Sequence, residues 1–151
     1  MNVDELQVRL DRLPIITIEA IPNYYTSWTA PEPTHEGWIY AADGRQVGAA
    51  SYAQSPLADR VYVSDIEIVA GRQRQGYATA FLRYLAQVYG QPITPIHELF
   101  HASSFWNAAR RLKPAGVIVT AQISVSDMPR EAERWQHLTD EASDFSSAQF
   151  G

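Results

Sequence analysis

The strongest constraint on the fold of this chain is a strand, a turn and a helix that follow one another between residues 61 and 90. The run Val61–Val69 alternates in side-chain character, which is typical of a β-strand. Apolar residues then recur at helical spacing from Tyr77 to Val88, and Gly90 with Pro92 ends the helix. Strict alternation predicts one strand face with Tyr62, Ser64, Ile66 and Ile68 and the other with Val61, Val63, Asp65 and Glu67.

The turn between this strand and this helix reads Gln73-Arg74-Gln75-Gly76-Tyr77-Ala78. The first N–H groups of a helix have no partner inside the helix, and the helix dipole is positive there, so the site favours an anion such as a pyrophosphate. Gly76 lets the backbone approach the phosphates closely. Arg72 and Arg74 carry guanidinium groups that can reach phosphate oxygens. The turn therefore predicts a phosphate-binding site.

The remaining periodicity predicts short strands early in the chain and strand–helix alternation later, hence an α/β fold with helices packed on a sheet. The predicted strands are 13–21, 38–41, 46–52, 93–99 and 117–125, with a hairpin turn at Asp43-Gly44, and the predicted later helices are 103–112 and 130–138. One domain is expected over residues 1–138. Residues 139–151 are acidic and Ser-rich, which predicts a flexible C-terminal tail.

Composition excludes several classes of partner. The formal net charge is -5 and the isoelectric point is near 5.3, which argues against a large nucleic-acid footprint and suits a cationic partner. The sequence begins without a signal-peptide pattern and has no apolar stretch long enough to cross a bilayer, so a cytoplasmic protein without membrane partners is expected. It contains no cysteine, which excludes a thiol nucleophile.

The turn and the strand before it resemble the GNAT acetyltransferase superfamily, whose signature is Gln or Arg, two residues, Gly, one residue, then Gly or Ala. Gln73, Gly76 and Ala78 match that signature. The resemblance implies a mixed, mostly antiparallel twisted sheet flanked by helices, with acetyl-CoA as co-substrate and no metal. It implies contacts with acetyl-CoA from Ile66, Glu67, Ile68, Gln73, Arg74, Gln75, Gly76, Tyr77, Ala78 and Thr79.

In this interpretation the protein is an N-acetyltransferase that acts on a primary amine of a small molecule or protein. Acetylation needs a neutral amine, so a base is required. Glu67 is the first candidate, with Asp65 a weaker one on the same strand face. At the end of the predicted fifth strand, Glu98 is a second base candidate, and His97 and His101 are candidates for proton transfer.

The sequence departs from the family at the tyrosine that protonates the leaving thiolate in many members. Counting back from Gly116-Val117, that position falls on Leu112. This departure keeps open an alternative, a non-catalytic acyl-CoA-binding protein. The run His97-Glu98-x-x-His101 keeps open a zinc metallopeptidase, because on a helix both histidines would face one zinc ion. The amine acceptor is not identified by the sequence, and a homodimer is possible.

Overall fold

The computed structural model of this 151-residue chain describes residues 3–25, 27–97 and 102–138. Glu98, His101 and the predicted tail 139–151 lie outside the described residues. The helices are α1 (Val3–Asp11), α2 (Tyr77–Tyr89), α3 (Ser103–Arg110) and α4 (Met128–Ala132). The strands are β1 (Ile16–Asn23), β2 (Thr34–Ala41), β3 (Gln46–Gln54), β4 (Val61–Ile68) and β5 (Ile93–Pro95).

The five strands form one sheet in the order β1-β2-β3-β4-β5. The first three pairings are antiparallel, and β4 pairs with β5 in parallel. The hairpin between β2 and β3 turns at Gly44, whose φ of 85° suits glycine. The predicted fold class, a mixed and mostly antiparallel sheet flanked by helices, is confirmed.

The main core lies between one face of the sheet and helices α1, α2 and α3. Helix α1 contributes Leu6 and Leu10, one turn apart and each 3% exposed. Sequence analysis missed this helix, although its first turn is acidic and its last turn is basic. The other buried members include Ile39, Val47, Phe81, Leu82, Leu85, Ile93, Trp106 and Leu112. Burying each large apolar side chain contributes about 1.5–3 kcal/mol.

A bulge in β4 makes the predicted assignment of its faces wrong. Tyr52 of β3 pairs with Val63, but Ser51 pairs with Asp65, so Ser64 is an extra residue in β4. The extra residue shifts the alternation by one position. Val61, Val63, Ile66 and Ile68 therefore all face the main core, while Tyr62, Asp65 and Glu67 face the other side of the sheet.

The segment predicted as a strand over 117–125 forms only two isolated parallel bridges to β5 and its end, Ile93 with Val119 and Ile96 with Ile123. From Val119 to Ile123 the chain advances four residues, whereas from Ile93 to Ile96 it advances three, so the pairing shifts by one residue and a continuous ladder does not form. The segment after Pro92 forms a strand shorter than the predicted 93–99. Strand β1 instead extends through Pro22, which an edge strand tolerates.

A second, smaller cluster lies on the opposite face of the sheet. Trp135 is 2% exposed and packs with Tyr62 and Ile96. Trp28 completes this aromatic group. Its ring centroid lies 4.6 Å from that of Tyr62 and 5.5 Å from that of Trp135. The helix predicted over 130–138 begins earlier and forms α4 with a turn after it. Within the described residues, none of the helices has the length and apolar character to cross a bilayer.

Candidate active site

A cleft opens where β4 and β5 separate. The two strands pair from Val61 as far as Val63, and the N–H of Ile96 donates to the Val63 carbonyl at 2.8 Å. Beyond this bond β5 ends, while β4 continues to Ile68. The resulting cleft has a volume of about 770 Å³, and Phe105 and Trp106 of α3 are among the residues that line it. Its size is that of a site for a small molecule or cofactor.

The floor of the cleft is a row of backbone groups on β4. The Val69 N–H donates to the Val47 carbonyl at 2.9 Å, which makes Gly48 and Ile68 a non-hydrogen-bonded pair of the antiparallel ladder. The N–H and C=O groups of Ile68, and by alternation those of Ile66, therefore point away from β3 into the cleft. An extended ligand chain can bond to these groups as an added strand does.

One end of the cleft is formed by the turn before α2. Arg74 and Gly76 have φ angles of 64° and 90°, and Gly76 is the N-cap of α2 with no side-chain cap. The first turn of α2 contains no acidic residue, and Gly76, Tyr77, Ala78 and Thr79 line the cleft. The unpaired N–H groups of this helix start are thus directed at a cavity.

The glutamines of the turn hold its shape. The Gln73 side chain donates to the Ile68 carbonyl at 3.1 Å, which ties the turn to the end of β4. The Gln75 side chain donates to the Gly71 carbonyl at 3.3 Å, and this residue does not line the cleft. Arg72 lines the cleft, 3.7 Å from Asp43 and 3.5 Å from the Tyr77 hydroxyl. Arg74 is exposed at the same end.

The other end of the cleft brings together ionisable side chains. Asp65 and Glu67 of β4 line it, as do His97 after β5 and Ser104 of α3. Restricted solvation raises the pKa of Asp65, and the neighbouring carboxylates of Glu67 and Glu36 raise it further. A carboxyl group with a raised pKa in a cleft is a candidate proton acceptor. Sequence analysis ranked Glu67 above Asp65 as the base, and both side chains line the cleft.

The geometry at His97 differs from that of a zinc-binding helix. His97 has a φ of 51°, outside the helical region, and its N–H donates to the Ile123 carbonyl at 2.8 Å. The zinc interpretation needs His97 and His101 on successive turns of one helix, and His97 is not helical. Within the described residues, no group of three or more potential metal-ligating side chains comes together.

Leu112, which sequence analysis aligned with the tyrosine of many GNAT superfamily members, is 7% exposed and belongs to the main core. It does not line the cleft. Sequence analysis did not anticipate the roles of Ser64, Phe105 and Trp106. The alternation of side chains in β4 gives no sign of the bulge. Phe105 and Trp106 could have been identified, because they lie in the helix predicted directly after the fifth strand.

A model of the Acetyltransferase (GNAT) family matches residues 7–112, more than two thirds of the chain. Neither the curated proteins nor the solved structures gave a match. The match begins within α1, covers all five strands, the turn before α2, α2 and α3, and ends at Leu112. The sheet, the diverging strands and the match lead to one conclusion: the chain belongs to the GNAT acetyltransferase family.

Proposed function

We propose that this protein is an N-acetyltransferase that transfers the acetyl group of acetyl-CoA to a primary amine. The observation that carries the proposal is the cleft between β4 and β5, which joins an open row of backbone amides to an uncapped helix start. These two features suit the two chemically different parts of one ligand, an amide-containing arm and a pyrophosphate.

In this proposal the pantetheine arm bonds to the cleft-facing backbone groups of Ile66 and Ile68 along β4. The pyrophosphate lies at the start of α2, against the N–H groups from Gly76 to Thr79. Arg72 and Arg74 neutralise phosphate charge. The side chains of Gln73 and Gln75 act on the turn and position this backbone.

The thioester then lies at the end of the cleft that contains Asp65, Glu67 and His97. The amine nitrogen attacks the thioester carbonyl carbon, a C–N bond forms, and the C–S bond breaks with its electron pair leaving on sulfur. Asp65 accepts the proton that the amine loses, with Glu67 and His97 as further candidates. Of the two cleft-facing N–H groups of β4, that of Ile66 is next to Asp65 in the chain, and it is a candidate donor to the carbonyl oxygen, which gains negative charge in the transition state.

The leaving thiolate takes its proton from a group other than a tyrosine at position 112, because Leu112 is buried in the core. Ser104 lines the same cleft and is a candidate donor, directly or through water. Glu98 and His101 retain their predicted catalytic roles as hypotheses, since they lie outside the described residues.

Acetyl-CoA binding is tested by calorimetric titration of the wild type and of the Ala78→Asp variant. An acidic residue in the first turn stabilises a helix, so Ala78→Asp is expected to keep or raise the melting temperature. The same carboxylate repels the pyrophosphate, so binding is expected to weaken at least tenfold. Ala78→Asn is the matched control, because it has nearly the same shape without the charge. Equal binding by the Asp and Asn variants would contradict the proposed phosphate site.

A second candidate function, acyl-CoA binding without catalysis, is favoured by the apolar side chain at Leu112. The two functions differ in turnover. Release of free CoA in the presence of amines, lost in Asp65→Asn while acetyl-CoA binding is kept, supports the enzyme. Binding of acetyl-CoA without turnover on a panel of mono- and polyamines supports the binding protein.

A further inference from the structure

The sheet face opposite helices α1 and α2 exposes a compact acidic surface. Gly37, Ile39 and Ala41 of β2 are buried on the helix side, so the alternate residues point to the other side. On that side Trp38 is partly exposed, and the acidic residues around it are exposed. We call these residues the acidic platform: Glu19, Glu36, Trp38, Asp65 and Glu67.

The strand register sets the arrangement of the platform. In one row across the sheet, Glu19 lies opposite Trp38, Trp38 opposite Ala49, and Ala49 opposite Glu67. In the next row, Glu36 lies opposite Ser51, and Ser51 opposite Asp65. Trp38 thus has carboxylates on both sides in its own row and two more in the adjacent row.

One of the carboxylates is oriented by a neighbouring hydroxyl group. The Ser51 hydroxyl donates to Glu36 at 2.6 Å. The platform is continuous with the cleft, because Asp65 and Glu67 belong to both. An indole ring with carboxylates on both sides of its row and in one adjacent row attracts ammonium groups through its π face and through charge.

The size of the platform selects a small occupant. Strands lie about 4.8 Å apart, so the three intervals from β1 to β4 span about 14 Å, and two rows along the strands span about 7 Å. A stable protein interface buries about 800 Å² on each partner, far more than this area. A symmetric contact with a second copy would bring carboxylates against carboxylates. Residues 139–151 contain three acidic residues and no Lys or Arg, so the same repulsion disfavours the chain's own C-terminus.

We propose that the acceptor is a linear aliphatic polyamine, which lies across the acidic platform with one ammonium group over Trp38 and its reacting amine at Asp65. This inference rests on the proposed acetyltransferase function and specifies its acceptor. The distal ammonium stays charged between Glu19, Glu36 and Trp38. The reacting nitrogen loses its proton at the edge of β4, next to the thioester end of the cleft. The platform thus sets both the affinity and the direction of the acceptor.

The binding test is calorimetric titration with spermidine in the absence of acetyl-CoA. The double variant Glu19→Gln with Glu36→Gln is expected to weaken binding about tenfold, and Trp38→Leu by a similar factor. Trp38→Phe keeps an aromatic face and is expected to restore part of the affinity. The matched control, Asp4→Asn with Glu133→Gln, removes two exposed carboxylates outside the platform and is expected to change the affinity less than twofold.

Three results would overturn the acceptor assignment. They are an equal loss of affinity in the control variant, equally tight binding of propylamine, which has one ammonium group, and tighter binding of a lysine-rich peptide than of spermidine. Circular dichroism and melting curves of each variant verify that the fold is retained.

A turnover arm separates this inference from the proposed function. Acetylation of spermidine, followed by mass spectrometry, is expected to show a raised KM and a largely retained kcat in the Glu19→Gln/Glu36→Gln variant. Turnover with an unchanged KM would overturn the acceptor site and leave the acetyltransferase standing. Trp38-dependent binding of spermidine without any acetyl transfer would support the site and overturn the proposed function.

Discussion

Gly76 combines a positive φ of 90° with close neighbours at the start of α2. A Cβ at this position would lie 3.1 Å from Leu13 Cδ2 and 3.2 Å from Pro14 Cδ. We therefore expect Gly76→Ala to lower the free energy of unfolding by about 1–2 kcal/mol, from left-handed strain and crowding together. Urea denaturation measures this change.

Gly71 of the same turn is the control for Gly76. A Cβ at Gly71 has nothing within 4 Å, and its φ is not in the left-handed region. Gly71→Ala is expected to leave the stability unchanged or raise it by up to about 1 kcal/mol. Equal losses from both substitutions would show that the conformation at Gly76 is not the cause.

The ionised Asp65 carboxylate is expected to lower the free energy of unfolding at pH 7 and to be required for turnover. Its folded-state pKa is raised, so the folded protein holds this proton more tightly than the unfolded chain does. The protonated group contributes stability that is fully present below the ordinary Asp pKa of about 3.9 and is lost as the pH rises through the raised pKa. Asp65→Asn is therefore expected to raise the urea midpoint at pH 7 while abolishing turnover. A gain of the same size at pH 3 would contradict this linkage.

The acid side of the pH–activity profile reports the same carboxyl group. Glu36 is one of the charges that raise the pKa of Asp65, so Glu36→Gln is expected to lower that pKa. With Asp65 as the base, the acid-side midpoint of kcat then moves to lower pH. The measurement is kcat at saturating amine from pH 4 to 8, with Asp4→Asn as the control. An unchanged midpoint in Glu36→Gln would indicate that Asp65 is not the titrating base.

At the scale of elements, Ser64 is an extra residue in β4 that has no partner in β3 and forms a bulge. Deleting Ser64 restores an unbroken register, because Tyr52 and Ser51 then face Val63 and Asp65 as consecutive residues. Every other β4 side chain stays on its own face, so the variant is expected to fold with equal or greater stability. Without the bulge, β4 is expected to run straighter beside β5 and to narrow the cleft.

The deletion of Ser64 is therefore expected to separate folding from function. Acetyl-CoA binding by calorimetry should weaken at least tenfold while the melting temperature is kept or raised. Ser64→Ala, which retains the bulge, is the matched control and should bind normally. Normal binding by the deletion variant would show that the bulge does not shape the site.

The elements also show what the sequence could predict. Local signals were sufficient for the hairpin at Gly44 and for α2, whose ends are marked by Gly76 and Gly90. The faces of β4 could not be predicted, because the bulge depends on the pairing of Ser51 and Tyr52 with a distant strand. The strand predicted over 117–125 does not form for a similar reason. Its pairing with the β5 segment shifts by one residue between the two bridges. Long-range register has no signature in the alternation of one segment.

The candidate site follows the same division. The turn from Gln73 to Ala78 has a local signature, and the structure places it at the end of the cleft. The acidic platform has none, because Glu19, Trp38 and Glu67 come from three strands and meet only through the register.

At the scale of the whole molecule, residues 113–138, which follow the family match, pack on the apex of the cleft. The apex is the point at Val63 where β4 and β5 separate. Trp135 packs on Tyr62 and Ile96, and the Ile96 N–H makes the last of the bonds to β4, at Val63, the residue after Tyr62. The Tyr62 hydroxyl also donates to Glu131 at 2.6 Å, and Arg134 bonds to both Glu131 and Asp59. This segment therefore holds together the two strands whose divergence forms the cleft.

A pair of truncations tests this role and the predicted domain bounds 1–138. A chain ending at residue 127 loses Trp135, whose burial alone is worth about 3–5 kcal/mol, and it exposes Tyr62 and Ile96. We expect it to unfold at much lower urea concentration and to bind acetyl-CoA weakly, because the apex is no longer held. A chain ending at residue 138 keeps the whole aromatic cluster and should match the full chain in both measurements. Equal destabilisation of the two chains would instead place an essential contact within residues 139–151, and the domain would then extend beyond residue 138.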